Sequence, residues 1–593
     1  MSENPDSLLN NPYGQASFYL FRNEDKAFAD KSLMIKYLDD KGMTKYPVLL
    51  RPRRFGKSTF VQMLKCYYDI SYKDRYEDLF SGTEIYMENL PSHNSYHVIN
   101  FDFSSVSTVN LDKLSFSFMV AVSSGIRDFK RRYKDFVFNY TYADVKDATT
   151  LFSEFANAYL DYSGEQKLYV LIDEYDNFAN DILSRDLELF LNITSKDGLL
   201  KNFYAEIKAQ TSSAIDKTFI TGVSSVSLDF LTSGFNIALN ITSDDSFNEY
   251  AGLTEDELKV LIPQLVDVEK LGVSTEEIIS KMKDVYDGYC FSRKAENTVF
   301  NTSMCLYYLT ELRRQREFLN PEDYFDPACD QEADKLNQLF NFTSKEIAGY
   351  VIETYLRGED FYLNKLSENI NLNNLREFSR DQMLSMLYYL GYLTIDRENS
   401  TKDQLALMIP NRFMKNLFAK CTINYRFSAD TEFNAQKLDI SALLNVEDDL
   451  TSFAKSCTEF LSSIMTNQVL SHMNEMALNL VLFAKLNATV AVSTLVKMQK
   501  SLQVPKEGEK FADLVVMVNL GSVNECVYLF EFKYLTKSEA SFPRYEENLR
   551  KLIENASKQV LEYKSAIDFK DKLVKPYVMI FVGPECVYCM KQN

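Results

Sequence analysis

Val48-Leu-Leu-Arg-Pro-Arg-Arg-Phe-Gly-Lys-Ser-Thr59 is an apolar segment that enters a basic turn and leaves it in a helix-compatible stretch. Tyr46 to Leu50 reads as a buried strand, and Thr59-Phe-Val-Gln-Met-Leu-Lys65 spaces its apolar residues as a helix does. A strand, a turn ending in Gly-Lys-Ser and a helix make the context of a phosphate-binding P-loop, because N–H groups of the turn and of the helix N-terminus point at a bound anion. In this reading Arg54, Phe55, Gly56, Lys57, Ser58 and Thr59 surround the phosphates of a nucleotide. Lys57 reaches the β- and γ-phosphates, and the Ser58 hydroxyl ligates Mg²⁺. One position departs from the usual pattern. Arg51 stands where the first glycine is expected, in a tight loop that favours a residue tolerant of positive φ. Alone, Gly56-Lys57-Ser58 is also compatible with an exposed basic turn.

Downstream, Leu168-Tyr-Val-Leu-Ile-Asp-Glu-Tyr-Asp176 reads as an apolar strand ending in adjacent carboxylates. Asp173 is the candidate Mg²⁺ ligand, and Glu174 the group that polarises an attacking water. His97-Val-Ile-Asn-Phe-Asp-Phe103 and Lys217-Thr-Phe-Ile-Thr-Gly-Val223 fit the same sheet as buried strands. Thr221, or Ser224 just beyond it, is placed by position to sense the γ-phosphate.

With these motifs in order, the N-terminal half resembles the AAA-ATPase-like family whose P-loop reads Arg-Pro-Arg-Arg-Phe-Gly-Lys-Ser. The resemblance extends to Phe28-Ala-Asp-Lys-Ser32, Ile172-Asp-Glu-Tyr-Asp176, Phe219-Ile-Thr-Gly-Val-Ser-Ser-Val-Ser227 and Tyr286-Asp-Gly-Tyr-Cys-Phe291. It implies that Arg51 is a trait of the family. It also implies ATP and Mg²⁺ as ligands, and a C-terminal nuclease-like domain of the PD-(D/E)xK type.

The C-terminal residues bear on that last implication. Phe511-Ala-Asp-Leu-Val-Val-Met-Val518 and Cys526-Val-Tyr-Leu-Phe-Glu-Phe-Lys-Tyr534 read as a hairpin around an Asn519–Asn524 loop. Alternation along a strand puts Glu531 and Lys533 on one face, and the hairpin brings Asp513 beside Glu531. Two carboxylates buried together call for a cation, so Asp513 and Glu531 are the candidate metal ligands, with Lys533 steadying the water or the developing charge. Thr489-Val-Ala-Val-Ser493 is expected as a preceding strand, with Glu475 on an earlier helix as a fourth polar group. Gln559, on a helix over Glu547–Lys564, is expected to face the site, and Pro576–Val582 closes the sheet. Taken alone, this hairpin is also what an amphipathic pair of strands with one surface ion pair looks like.

At 593 residues the chain has room for about three or four domains. Hydrophobic content of 46% and aromatic content of 13% indicate folded protein throughout. There is no apolar run of about eighteen residues and no basic-apolar leader, so a cytosol-like location is expected, nuclear included. Nine scattered cysteines favour reduced thiols, and Cys586 and Cys589 lack the further ligands that zinc needs. The net charge of −19 opposes strong non-specific nucleic-acid binding. The basic clusters Arg51–Lys57, Lys130–Lys134 and Arg313–Arg316 are more often solvated helix faces than nucleic-acid contacts. Between, a helix from Arg380 runs after Gly391 into a strand, and Gln404–Ile409 returns as its partner. This winged-helix-like element suits protein docking at least as well as DNA.

The expectation is therefore an α/β multidomain protein. An AAA-like P-loop NTPase domain with a parallel sheet covers 1–300, a helical, winged-helix-like connector covers 301–440, and a PD-(D/E)xK restriction-endonuclease-like α/β domain covers 441–593. ATP binding, and hydrolysis, would control a Mg²⁺-dependent nuclease acting on DNA or RNA. The alternative is an ATP-dependent switch or scaffold whose nuclease-like domain binds without cleaving. Further partners would be a second copy or a protein held through the connector, and no membrane.

Overall fold

In the computed structural model of the chain, Pro47–Leu50 is a strand (β1) buried at every residue. The structure describes residues 8–592, except 41, 142–144, 146, 184–188, 190–197, 225–233, 320, 322–329, 368–378, 428–437, 465–474, 491–493, 506–507, 521, 523, 542–544, 567–568 and 571. Two compact units form, Met1–Asp330 with Tyr362–Asn411, and Gln331–Phe361 with Arg412–Asn593. Residues 301–440, read from the sequence as one connector, are divided between them.

The first unit is built on a parallel sheet. β1 is followed by helix α1 (Lys57–Tyr68), strand β2 (His97–Asp102), helices α2 (Leu111–Arg132) and α3 (Ala148–Ser163), and strand β3 (Leu168–Asp173). Helix α4 (Leu199–Gln210) and strands β4 (Ile215–Gly222) and β5 (Leu239–Asn240) come next, and the strand order is β2-β3-β4-β1-β5. All four pairings are parallel. β3 is buried at all six residues because helices cover both faces of such a sheet, and so the sequence reads as a continuous apolar run. Phe203 of α4 meets Phe101 of β2 and Phe118 of α2 edge-on, sealing one layer. The register pairs Val48 with Ile220, and Asp102 with Asp173. The P-loop and both acidic strand ends therefore emerge at one C-terminal edge, where ligands bind in open parallel sheets.

Helix α5 (Thr302–Gln315) follows, and a small sheet completes this unit. Its strands β6 (Phe361–Leu363), β7 (Thr394–Asp396) and β8 (Leu405–Met408) lie in the order β6-β8-β7, with helix α6 (Arg380–Tyr389) preceding the β7–β8 hairpin. The helix-and-hairpin pattern of the sequence is present, with β6 as an added strand.

The second unit has helices α7 (Thr451–Ile464) and α8 (Glu475–Thr489), then strands β9 (Leu495–Val504), β10 (Gly508–Val518) and β11 (Cys526–Leu535). Helix α9 (Tyr545–Lys564) and strands β12 (Leu573–Val582) and β13 (Glu585–Lys591) finish it. The sheet order is β13-β12-β11-β10-β9, with only β11 and β12 parallel. One face packs Val515, Leu529, Val578 and Ile580 against Ala556 and Val560 of α9. On the other, Phe530 lies against Phe453 of α7 and Tyr577 of β12.

Two sequence expectations shift here. Thr489 ends helix α8 and the first strand starts at Leu495, while residues 491–493 lie outside the described residues. Alternating β-branched residues suggested a strand, but Leu478, Val481, Leu482 and Leu486 give α8 a buried stripe that carries the helix through Thr489. β13 was not anticipated, because none of its residues is fully buried and an irregular register between Cys586 and Tyr588 breaks its alternation.

Candidate functional site

Arg51 resolves the departure in the P-loop. Its backbone is not among those with positive φ, which fall instead at Arg54 (70°) and Gly56 (93°), so a Cβ at position 51 carries no strain. The side chain is 1% exposed and donates to Leu50 O, Thr242 O (both 2.8 Å) and Phe247 O (2.7 Å). Its guanidinium lies 4.1 Å from the Phe291 ring centroid and 5.0 Å from that of Tyr250. Arg51 thus braces the loop from beneath. Phe55 packs edge-on against Tyr289 (4.8 Å) and Phe291 (5.8 Å), so the Tyr286-Asp-Gly-Tyr-Cys-Phe291 motif is the floor of the P-loop.

The loop is fixed from the side as well. Gly252 N donates to Phe55 O (2.7 Å), Thr302 Oγ1 to Phe55 O (3.2 Å) and Ser303 N to Arg54 O (3.2 Å). Gly56 caps α1, which starts at Lys57. Lys57 is buried, donates to Pro52 O (3.1 Å) and lies 3.5 Å from Glu174 Oε1. The Ser58 hydroxyl donates to Asp173, the last residue of β3.

Asp173 is 4% exposed, and its Oδ1 has no hydrogen-bond partner. Burial, then the Glu174 charge, raises its pKa to about 7, and Asp102 adds to the rise from the next strand. A buried, orphaned carboxylate oxygen beside a serine hydroxyl is a donor set suited to Mg²⁺. Asp102 was not singled out in the sequence, although it closes β2 as Asp173 closes β3.

Thr221 does not join this group. It is buried inside the sheet, and its hydroxyl donates to Leu49 O (2.7 Å). Asp176 instead ties the two strand ends together, accepting from Val223 N (3.0 Å), Ser224 N (2.6 Å) and Ser224 Oγ (3.0 Å). Tyr175 donates its hydroxyl to Ser224 O (2.6 Å). Gly222 is required by this closeness, since a Cβ there would meet Asp176 Oδ1 at 2.3 Å and the Tyr175 ring at 2.4 Å.

A cavity of about 280 Å³ opens from Gly56, Lys57 and Ser58 toward Tyr13, Phe28 and Leu306. Residues 9–13 are held there by α5. Asn11 Nδ2 donates to Leu306 O (3.0 Å) and Thr310 Oγ1 (2.9 Å), and the Tyr13 and Tyr307 rings lie 5.6 Å apart. Phe28 belongs to a stretch singled out in the sequence, but no motif marks the side formed by residues 9–13 and α5, which is made of apolar contacts and backbone rather than a fixed spacing.

In the second unit, the pairing of Leu514 with Phe530 brings Asp513 next to Glu531. Asp513 Oδ2 accepts from Phe532 N (3.0 Å), and Lys533 Nζ lies 2.9 Å from Glu531 Oε1 and 3.1 Å from Glu475 Oε1. Burial, and then their mutual repulsion for Glu531, raises the pKa values of Asp513 and Glu531. Asn479, one turn beyond Glu475 on α8, bonds Asp513 with its side chain and is the member the sequence reading missed. Its Oδ1 and Glu531 Oε2 are buried without partners. Gln559 is exposed, one turn before Tyr563, whose hydroxyl pKa is raised by burial and then by Glu531 and Asp513. Among the described residues no group of three His, Cys, Asp or Glu side chains is arranged to hold a metal.

Two members of the other basic clusters are engaged internally. Arg132 pairs with the buried Asp69 and donates to Val98 O (2.8 Å), and Arg313 donates to Leu9 O (2.6 Å). The described cysteines are free thiols, with Cys586 and Cys589 pushed up to about 12 by burial. Among the described residues no helix is long and apolar enough to cross a membrane.

Residues 12–232 match the AAA-ATPase-like family model, described as predicted AAA-ATPase. This segment contains the P-loop, β1 to β4 and the Asp173–Glu174 pair. Over 317 residues the chain is 28% identical to "Uncharacterized protein in vnfD 5'region" of Azotobacter chroococcum mcd 1, which covers 52% of each chain. The chain thus spans about half the length of that curated relative.

Proposed function

We propose that the first unit binds ATP with Mg²⁺ and hydrolyses it. The observation that carries this reading is the unpartnered Asp173 Oδ1, set beside Ser58 at the rim of a braced P-loop. The loop N–H groups and Lys57 hold the phosphates, which draws Lys57 away from Glu174 and frees that carboxylate to orient the water. Ser58 and Asp173 would hold Mg²⁺, which supplies neutralising charge on the phosphates. The base occupies the cavity beside Tyr13 and Phe28. Lys57→Ala is expected to abolish ATP binding, whereas Glu174→Gln keeps binding and loses turnover. Binding unchanged by Lys57→Ala would overturn the site assignment.

The second unit is proposed as a Mg²⁺-dependent nuclease-like module acting on nucleic acid under nucleotide control. The orphaned Glu531 Oε2 and Asn479 Oδ1 around Asp513 support a cation there, with Lys533 at hand for the water. Cleavage of DNA or RNA in Mg²⁺ or Mn²⁺, dependent on ATP and lost in Glu531→Ala, is the expected result. One observation favours a second reading, an ATP-dependent switch with a module that binds only. The Lys533 ammonium already neutralises Glu475 and Glu531. No cleavage under any of these conditions would select it.

A further inference from the structure

Arg53 carries a charge that the described residues do not compensate. It is half-buried, and among them its one hydrogen bond runs from Nη2 to the neutral Asn177 Oδ1 (3.0 Å), with no carboxylate paired to it. Its neighbours are placed otherwise. Arg51 is buried beneath the loop, and Lys57 pairs with Glu174. Asn177 is locked in turn, with its N–H donating to Glu174 O (3.2 Å) and its Nδ2 to Ser104 O (3.1 Å). The guanidinium is therefore held at the start of the helix Asn177–Leu183, whose first N–H is bonded to the Glu174 carbonyl.

We propose that Arg53 is a catalytic residue of the ATPase site, supplying in cis the cation that stabilises the transferring phosphoryl group; this rests on the ATPase reading above. The P-loop amides hold the inner phosphates and Lys57 reaches on to the terminal one, so the terminal phosphoryl and its water lie beside Glu174 once Lys57 has turned to the phosphates. There the water oxygen bonds to the terminal phosphorus as the bond from phosphorus to the bridging oxygen breaks. The electron pair stays on ADP, and the water's proton passes by way of Glu174 to the departing phosphate. Negative charge on the phosphoryl oxygens is greatest midway, and a guanidinium matches it with two donors. A neutral anchor suits this role, because it orients Arg53 without neutralising it. Arginine fingers supplied from a second chain do the same work elsewhere, and this site would need none.

The test uses the full chain. Wild type, Arg53→Ala, Arg53→Lys and Asn177→Ala are compared for ATP turnover with Mg²⁺, for ADP binding, and for ADP binding with aluminium fluoride as the transition-state probe. Among the described residues Arg53 makes a single bond to a neutral partner, so the two Arg53 variants are expected to melt as wild type does. The proposal expects Arg53→Ala to lose about a hundredfold or more in kcat, with ADP affinity retained and the tightening by aluminium fluoride lost. Arg53→Lys should recover part of the rate, and Asn177→Ala should lose less than Arg53→Ala. Full turnover in Arg53→Ala, or a loss confined to KM, would overturn the Arg53 assignment while leaving the ATPase standing. Absence of ATP binding and turnover in wild type would overturn both.

Discussion

Asp173→Asn separates stability from function in the proposed nucleotide site. In the folded chain the carboxyl titrates near pH 7, against 3.8 for an unperturbed aspartate, because it is buried and faces Glu174. The folded state therefore keeps a proton that the unfolded state releases. The stability that this proton carries is complete below the unfolded pKa and is lost as pH rises through the folded one. At about 1.4 kcal/mol per pH unit the full penalty is ~4 kcal/mol, an upper figure that local relaxation reduces. Asparagine keeps the shape and accepts from Ser58, but never ionises. In chelator without nucleotide, Asp173→Asn should raise the melting temperature of the first unit by a few degrees, at roughly 1–3 °C per kcal/mol for a unit of this size. The gain should be small below about pH 4, grow to about pH 7 and level off above it. Calorimetry across that range measures it, and the transition that ADP shifts identifies the unit. The same variant should lose the extra stabilisation that Mg²⁺ adds to bound ATP. A variant less stable than wild type at every pH, or a gain that does not depend on pH, would refute the reasoning.

Three other outcomes follow from packing and charge. Arg51→Gly restores the usual P-loop glycine yet should destabilise the unit by about 3 kcal/mol or more in denaturant unfolding, since three backbone carbonyls lose a buried charged donor and a cavity opens beneath the loop. Gly222→Ala should cost about 1–3 kcal/mol by the same assay and slow ATP turnover, because its Cβ forces Asp176 and Tyr175 away from Ser224. Glu531→Gln should raise the melting temperature of the second unit in chelator, where the charged form is disfavoured by burial and by Asp513, and should remove any stabilisation by Mn²⁺.

The first site was legible where chemistry imposes a spacing. Gly56-Lys57-Ser58 and Asp173-Glu174 each end a buried strand, and the parallel sheet brings them to one edge. What holds them was not legible, because Arg51, Thr242, Phe247 and Phe291 meet only through tertiary contacts across some two hundred residues. Thr221 shows the limit of reading by position. A threonine at a strand end can face the ligand or the sheet, and here its hydroxyl is taken by β1. In the second unit, strand alternation placed Glu531 and Lys533 on one face beside Asp513, as their ion pair and the register bear out. Asn479 escaped notice because an asparagine one turn beyond a glutamate has no distinguishing pattern. β13 escaped because its half-buried residues, Cys586, Tyr588 and Cys589, do not alternate regularly.

The central claim is that the braced P-loop at Arg51–Thr59 holds a nucleoside triphosphate through Lys57. Isothermal titration of the full chain with ATP and Mg²⁺, wild type beside Lys57→Ala, tests it most directly. The account predicts saturable one-site binding to wild type and none to Lys57→Ala, with the variant's melting temperature in chelator close to that of wild type. Equal binding by both proteins, or no binding by wild type, would contradict it.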